Sequence, residues 1–386
     1  MSPLSITHLP PLSLYIHLPW CIRKCPYCDF NSHTLKQALP EQAYVQSLLN
    51  DLDENLPIIQ NREIISIFFG GGTPSLFSPA ALSDLLNQIQ KRVPFINDIE
   101  ITIEANPGTV EQCRFTGFRD AGINRLSLGI QSFQDEKLKT LGRIHGSQEA
   151  MNAIEQAKQA GFDNFNIDLM FGLPNQSLAD ALFDLNTAFS FSPTHLSWYQ
   201  LTLEPNTPFH RQPPTLPHDE ILWDMQTQGQ TLLRKKHYIQ YEVSAYSVEN
   251  KRCQHNLNYW EFGDYLGIGA GAHSKITDLH SQTITRFSKL KHPKEYLAAS
   301  QSYIATQQIL ADTELPFEFM LNALRLNTPI ALSQFEQRTG LSSSVLDNAL
   351  QHALQKELVK IENQSLFLSD LGRRFLNDMT MLFMPV

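Results

Sequence analysis

The sequence predicts an α/β fold: a partial barrel of six β/α units, an irregular extension, and a small winged-helix-like α+β module. Three observations predict it. Short β-rich runs alternate with longer amphipathic ones through the first half of the chain, which is the pattern of βαβ units around a parallel sheet. Several of those runs end in glycine or polar residues, as strands do where an α/β barrel carries its chemistry. From about residue 311 the pattern changes to three helices and a small hairpin.

Taken in order, the strands are predicted at Leu12–Leu18, Ile64–Phe69, Ile99–Glu104, Arg125–Ile130, Asn164–Phe171 and His195–Leu201. Helical patterns lie between them near 37–56, 79–92, 111–121, 133–141, 147–160 and 178–191. Six units, where a closed barrel has eight, predict an open one. The polar strand ends are Gly70-Gly71-Gly72-Thr73, Glu104-Ala105-Asn106 and Gln131-Ser132. After about residue 203, Pro205, Pro208, Pro213, Pro214 and Pro217 mark an irregular connection. A helix near 219–237, the run Tyr241–Tyr246 and a glycine-rich segment, Leu266 to His273, follow it. The last segment reads as helices at 315–325, 331–338 and 343–356, β-like runs at Leu358–Ile361 and Ser365–Leu368, and a helix from Asp370. The division is therefore 1–203, 204–310 and 311–386.

Composition narrows the function. Of 386 residues, 42% are hydrophobic and 18% charged, enough to bury a large core. Thirty basic and thirty-nine acidic side chains leave a formal charge of -9, which argues against nucleic acid as a partner and against attraction to anionic membranes. The segment 311–386 has six basic and nine acidic residues, so its winged-helix pattern reads as a protein-docking or substrate-capping module. The first basic residue is Arg23, Pro10 and Pro11 interrupt the early apolar stretch, and no apolar run has the length of a membrane span. A reducing cytoplasm is the expected compartment, where thiols stay free for metal.

The five cysteines divide unevenly: Cys21, Cys25 and Cys28 fall within eight residues, while Cys113 and Cys253 stand alone. Cys21-Ile22-Arg23-Lys24-Cys25-Pro26-Tyr27-Cys28 is C-x3-C-x2-C, a set of soft ligands for zinc or an iron–sulfur cluster. Zinc would need a fourth ligand, which His17 or His33 could supply. A four-iron cluster would instead take three thiolates and leave its fourth iron open to a small chelating molecule. Gly70-Gly71-Gly72-Thr73-Pro74 allows close backbone approach to a ligand, or forms only a tight turn. Glu104, Gln131, Arg143 and Asp168 sit at or beyond strand ends. Together they offer carboxylates for ammonium and hydroxyl groups and a guanidinium for a carboxylate.

Longer segments carry a resemblance. These are Tyr15 to Cys21, Cys25 to His33, the Gly-Gly-Gly-Thr-Pro-Ser run, Gln131-Ser132, Leu141-Gly142-Arg143-Ile144-His145 and Ile167 to Pro174. Over nearly the whole chain the sequence resembles the radical SAM family around oxygen-independent coproporphyrinogen III oxidase. The resemblance implies a partial radical SAM barrel whose 4Fe-4S cluster binds S-adenosylmethionine through its amino and carboxylate groups. Reductive cleavage of that cofactor yields a 5′-deoxyadenosyl radical in the family's enzymes. By the resemblance, Cys21, Cys25 and Cys28 ligate the cluster. Tyr15, Gly71, Gly72, Thr73, Glu104, Gln131, Arg143 and Asp168 line the cofactor pocket, and the glycines near Gly267–Gly271 offer backbone contacts to adenine.

Within the family, His255-Asn256-Leu257-Asn258-Tyr259-Trp260 matches the H-N-x-x-Y-W motif of the HemW branch, the heme chaperones. Phe30 stands where the oxidases have a fourth cysteine, and Cys21 lies close to the first residue, where the oxidases have an N-terminal arm. The resemblance thus implies heme as a bound group and delivery to heme-requiring, respiratory, membrane-associated proteins; a homodimer is compatible with it. Decarboxylation of coproporphyrinogen III is the enzymatic alternative, with the same scaffold able to cleave S-adenosylmethionine. A redox-sensing transcription regulator is a third, disfavoured by the charge of the tail. His255 is the candidate heme ligand, with Tyr259 and Trp260 to pack on the porphyrin; Cys253 and His273 are alternatives.

Overall fold

The computed structural model describes residues 4–108 and 114–385. Six parallel strands occur in sequence order: β1 (Leu12–Leu18), β2 (Ile64–Gly71), β3 (Phe95–Ala105), β4 (Arg125–Gln131), β5 (Phe165–Phe171) and β6 (His195–Gln200). The helices between them are α1 (Glu41–Asn55), α2 (Pro79–Gln90), α3 (Phe115–Asp120), α4 (Asp135–Thr140), α5 (Ser147–Gln159) and α6 (Leu178–Ser190). The expected open six-unit barrel is present. Cys113 and residues 111–113 of the helix expected at 111–121 lie outside the described residues.

Alternation along the strands builds two layers. On β1, Leu12, Leu14, Ile16 and Leu18 are buried with Leu48 and Leu52 of α1 and Leu82 and Leu85 of α2. Each such side chain contributes about 1.5–3 kcal/mol when removed from water. The intervening Ser13, Tyr15 and His17 are left to the barrel interior, where polar chemistry collects. Helix entry is set locally. Ser78 Oγ accepts from Ala81 N (3.3 Å) with Pro79 at the first helical position, and Ser177 and Asp180 cap each other reciprocally at α6.

The sheet extends well beyond the six expected strands. After α7 (Asp219–Lys235) come β7 (Ile239–Gln240) and β8 (Ala245–Ser247), antiparallel on the β6 edge. After α8 (Gln254–Trp260), β9 (Asp264–Ile268) pairs parallel with β1, and β10 (His273–Asp278), β11 (Thr283–Lys289) and β12 (Ile304–Ile309) continue antiparallel outward. The order is β12-β11-β10-β9-β1-β2-β3-β4-β5-β6-β8-β7. The outer two of these, Thr283–Lys289 and the edge strand Ile304–Ile309, escape sequence reading because they are mostly polar.

The C-terminal module has helices Leu315–Ala323, Leu332–Thr339 and Asp347–Gln355, and a three-stranded sheet of Ile330–Ala331, Ser365–Leu368 and Val359–Glu362. Phe319, Phe335, Leu350, Leu366 and Met379 form its separate core, and Ile6 joins them. The N-terminal segment is strapped on by Ser5 N to Gly340 O (3.0 Å) and Ile6 N to Gln282 Oε1 (2.7 Å). Among the described residues no helix is long and apolar enough to cross a membrane.

Candidate functional site

The cysteine loop leaves the carboxyl end of β1 and is held by backbone bonds. Gly72 N donates to Leu18 O (2.9 Å), Thr73 N to Trp20 O (2.7 Å), and Cys28 N to Cys25 O (3.2 Å). Gly71 has φ +115°, and a Cβ there would lie 2.5 Å from the His17 ring, so the loop closes over β1 only with glycine. His17 is spent on this packing: Nδ1 bonds Tyr15 Oη (3.0 Å) and Nε2 bonds Asn31 O (2.9 Å). Asn31 Nδ2 donates to Ala270 O and Lys291 O (2.9 Å each), tying the loop to the glycine-rich run. That run stands on a buried base in which Gly269 N, Tyr296 Oη and Lys289 Nζ all meet Asp51 (3.2, 2.7 and 2.6 Å). Gly269 and Gly271 pack closely here, their Cβ positions meeting His17 O and Asn31 Nδ2.

A cavity of about 760 Å³ opens at the carboxyl ends of the strands, lined by Cys21, Cys25 and Cys28 together with Gly71, Gly72, Thr73, Glu104, Gln131, Arg143 and Asp168. Ten residues singled out from sequence therefore meet in one place. Each sulfur has a polar neighbour: Thr73 Oγ1 donates to Cys21 Sγ (3.5 Å), Arg143 Nη1 to Cys25 Sγ (3.8 Å), and Ser32 Oγ lies 3.9 Å from Cys28 Sγ. Burial, with repulsion between neighbouring thiolates, pushes the Cys21 and Cys28 thiols up, a strain that a cationic metal core relieves. Of the two candidate fourth ligands for zinc, His17 has both nitrogens engaged, while His33 Nε2 bonds Asn31 Oδ1 (3.1 Å). The donor set fits a cluster with three thiolate ligands.

The opposite wall suits a zwitterionic cation. Glu104 accepts Gly71 N–H (3.3 Å), and Asp168 accepts Asn166 Nδ2 (2.7 Å) and Ser127 Oγ (3.3 Å). Burial and the neighbouring Asp168 charge push Glu104 up to about 8. Arg143 Nη2 donates to Asn106 Oδ1 and Gly129 O (2.6 Å each), which fixes its guanidinium beside the cysteines. Gln131 sits at φ +71°, a strained conformation for a side-chain residue, and its Oε1 accepts from Tyr199 Oη (2.8 Å). Buried carboxylates that are short of cations, beside a fixed guanidinium, fit an amino acid moiety carrying additional positive charge.

Glu104 carries a pH prediction. Between its ordinary 4.5 and about 8 the folded chain holds a proton that the unfolded chain has lost, so this group makes stability fall as pH rises through that window. Glu104→Gln removes the dependence. In denaturant titrations of the ligand-free protein the variant gains on wild type from pH 5 to pH 8; parallel pH profiles would refute the assignment.

Below lies a chamber of about 270 Å³ that shares Glu104, Ser127, Asp168 and Ser197 with the cavity; Tyr15 and His255 line this chamber and not the cavity. Its floor is α8, the H-N-x-x-Y-W segment. Glu100 of β3 accepts Gln254 N and His255 N (3.1 Å each), a carboxylate at the positive end of the helix. Asn258 Nδ2 donates to Ser13 Oγ (2.9 Å) and Asp264 O (2.8 Å). The His255 ring stacks on Phe68 (5.0 Å), meets Tyr259 edge-on (5.0 Å), and bonds Ser66 Oγ through Nδ1 (3.0 Å). Trp260 lies under the Arg325 guanidinium (4.4 Å) at the C-terminal module. Burial and the Arg125 charge push His255 down to about 3, so its ring is neutral, and Nε2 has no hydrogen-bond partner among the described residues. The motif closes the amino end of the barrel. Ser66→Ala, which cuts the bonds to both Ser13 and His255, should cost about 1–3 kcal/mol in chemical denaturation. An unchanged midpoint would show that this floor carries no load.

Sequence reasoning named Asn106 only as part of a polar strand end, without a role, and overlooked Tyr199. Asn106 joins Thr73 Oγ1 (2.9 Å) to Arg143, and Tyr199 orients Gln131. The signal for Asn106 was its place two residues after Glu104 at the same strand end.

Comparison with known proteins identifies the family and the fold. The sequence profile of the Radical SAM superfamily matches residues 15–186, and that of the HemN C-terminal domain matches 310–375. Heme chaperone HemW of Haemophilus influenzae is 52% identical over 97% of this chain and 98% of its own. HemW of Escherichia coli is 50% identical over 97% and 99%. The solved coproporphyrinogen III oxidase (HemN) of Escherichia coli has the same fold, with a TM-score of 0.82 at 23% identity over 97% of this chain and 90% of that one. With such identity along almost its entire length, the chain belongs to the HemW heme chaperone family and is built on the radical SAM fold.

Proposed function

We propose that this chain binds heme and passes it to heme-requiring proteins, with respiratory, membrane-associated proteins as the recipients. The observation that carries the reading is 50–52% identity with heme chaperones over 97% of this chain. In this reading Cys21, Cys25 and Cys28 hold a 4Fe-4S cluster, and S-adenosylmethionine occupies the 760 Å³ cavity. When bound, the pair supplies an open iron site and a reductively cleavable sulfonium. The chain's own residues do the positioning. Glu104 and Asp168 take up the ligand's positive charge, Arg143 its carboxylate, and Gly71 and Gly72 let it approach the backbone. A reducing cytoplasm suits thiols kept for iron.

The test is anaerobic reconstitution with iron and sulfide, followed by hemin titration and, in parallel, incubation of coproporphyrinogen III with S-adenosylmethionine and a reductant. Heme binding without decarboxylation is the expected pair of results. Decarboxylation without heme binding would turn the reading into the oxidase.

A further inference from the structure

A larger cavity, about 950 Å³, lies at the β7–β8 edge of the sheet and borders the 760 Å³ cavity at Arg325. Its walls are α7, the segment Tyr238 to Val248, and the end of the C-terminal module around Arg373 and Arg374. Trp223, Ile239 and Val243 are 45%, 50% and 43% exposed and together line its wall. Three arginines frame that patch. Arg374 lies over the Trp223 ring (4.9 Å), and neither it, Arg234 nor Arg373 has an ion-pair partner among the described residues. Glu249 and Asp370 are the acidic groups facing them, and the fourth arginine, Arg325, is paired with Glu242 (3.1 Å). In a chain of formal charge -9 this groove is locally cationic.

His237 completes the set. It is exposed on a left-handed turn (φ +65°) directly after α7, with its backbone N bonded to Arg234 O (3.0 Å), and it lines the groove. The groove thus offers a flat aromatic and aliphatic wall, guanidinium groups for two carboxylates, and an imidazole. That is the chemistry of a planar metalloporphyrin with two propionates. Its volume falls in the range of small-molecule sites.

We infer that this groove is the heme site, with Trp223 against the porphyrin face, Arg234, Arg373 and Arg374 on the propionates, and His237 as axial ligand. The inference rests on the heme-chaperone reading and gives it a location. An open groove between barrel and C-terminal module also leaves the bound group within reach of a recipient protein.

The test titrates the full-length protein with hemin and with hemin dimethyl ester, which lacks the free propionates. Expected for His237→Ala is a shifted Soret band with affinity lowered about tenfold or more, while His255→Ala keeps the wild-type spectrum. Arg234→Glu combined with Arg374→Glu should weaken hemin but not its ester. Circular dichroism of each variant confirms folding, and His255→Gln replaces the alanine variant if that one unfolds. A wild-type spectrum and affinity in His237→Ala, or equal loss of hemin and ester in the arginine variant, would overturn the site and leave the chaperone reading standing. Failure of the wild-type chain to bind hemin would instead sink the chaperone reading itself.

Discussion

Cys25→Ser is expected to abolish the charge-transfer absorbance of the four-iron cluster in protein reconstituted anaerobically with iron and sulfide. The effect should be complete, because the loop brings only three thiols to the cavity and a four-iron core needs all of them. Cys253→Ser makes the matched control. Cys253 is fully buried at the barrel floor, its Sγ donates to Glu100 Oε1 (3.5 Å), and burial pushes its thiol up to about 12. It stays a neutral thiol and should be dispensable for iron. Survival of the absorbance in Cys25→Ser, or its loss in Cys253→Ser, would contradict the ligand assignment.

The largest stability effect is expected at Asp264, where β9 begins beside β1. Its carboxylate pairs with Arg62 Nη1 (2.7 Å) and Lys275 Nζ (2.8 Å), and accepts Thr277 N (2.8 Å) and Thr277 Oγ1 (2.9 Å). Asp264→Ala would leave a buried ammonium and a nearly buried guanidinium uncompensated, which costs about 3–5 kcal/mol. Burial alone would raise the Asp264 carboxyl, but Lys275 and Arg62 outweigh it and hold the group below the usual carboxylate range. The folded chain therefore binds fewer protons than the unfolded one there, so this contribution is present above the ordinary carboxylate pKa and is lost as pH falls through the lower folded value. Chemical denaturation at neutral pH should show the loss, and the wild-type advantage should shrink in acid. A small, pH-independent difference would mean that the ion cluster is not what anchors β9.

The barrel was legible because its strands obey two periods at once. Leu12–Leu18 alternates, and each run that ends in glycine or a carboxylate also ends a strand. The cavity was legible for the same reason. Glu104, Gln131 and Asp168 lie on neighbouring parallel strands in register, with Glu104 opposite Ser127 and Gln131 opposite Leu169, so reading strand ends amounts to reading the site. What stayed hidden depends on tertiary pairing. The glycine-rich run looked like a ligand loop, yet Gly271 is required because Asn31 Nδ2 would lie 2.2 Å from its Cβ. That the H-N-x-x-Y-W segment packs on Glu100, Ser13 and Ser66 is visible only in the fold. His237 and Arg374 lie 137 residues apart and belong to different cores, so no local pattern could join them.

Heme handover is the activity that separates a chaperone from a protein that only holds heme. The heme-loaded, cluster-reconstituted protein is mixed with the heme-free form of a respiratory cytochrome, and the recipient's absorbance is followed after separation of the two proteins. The cytochrome spectrum is expected to appear at the expense of the donor's, faster than from hemin held by albumin at the same concentration. Retention of heme by the donor, or transfer no faster than from albumin, would contradict the chaperone reading.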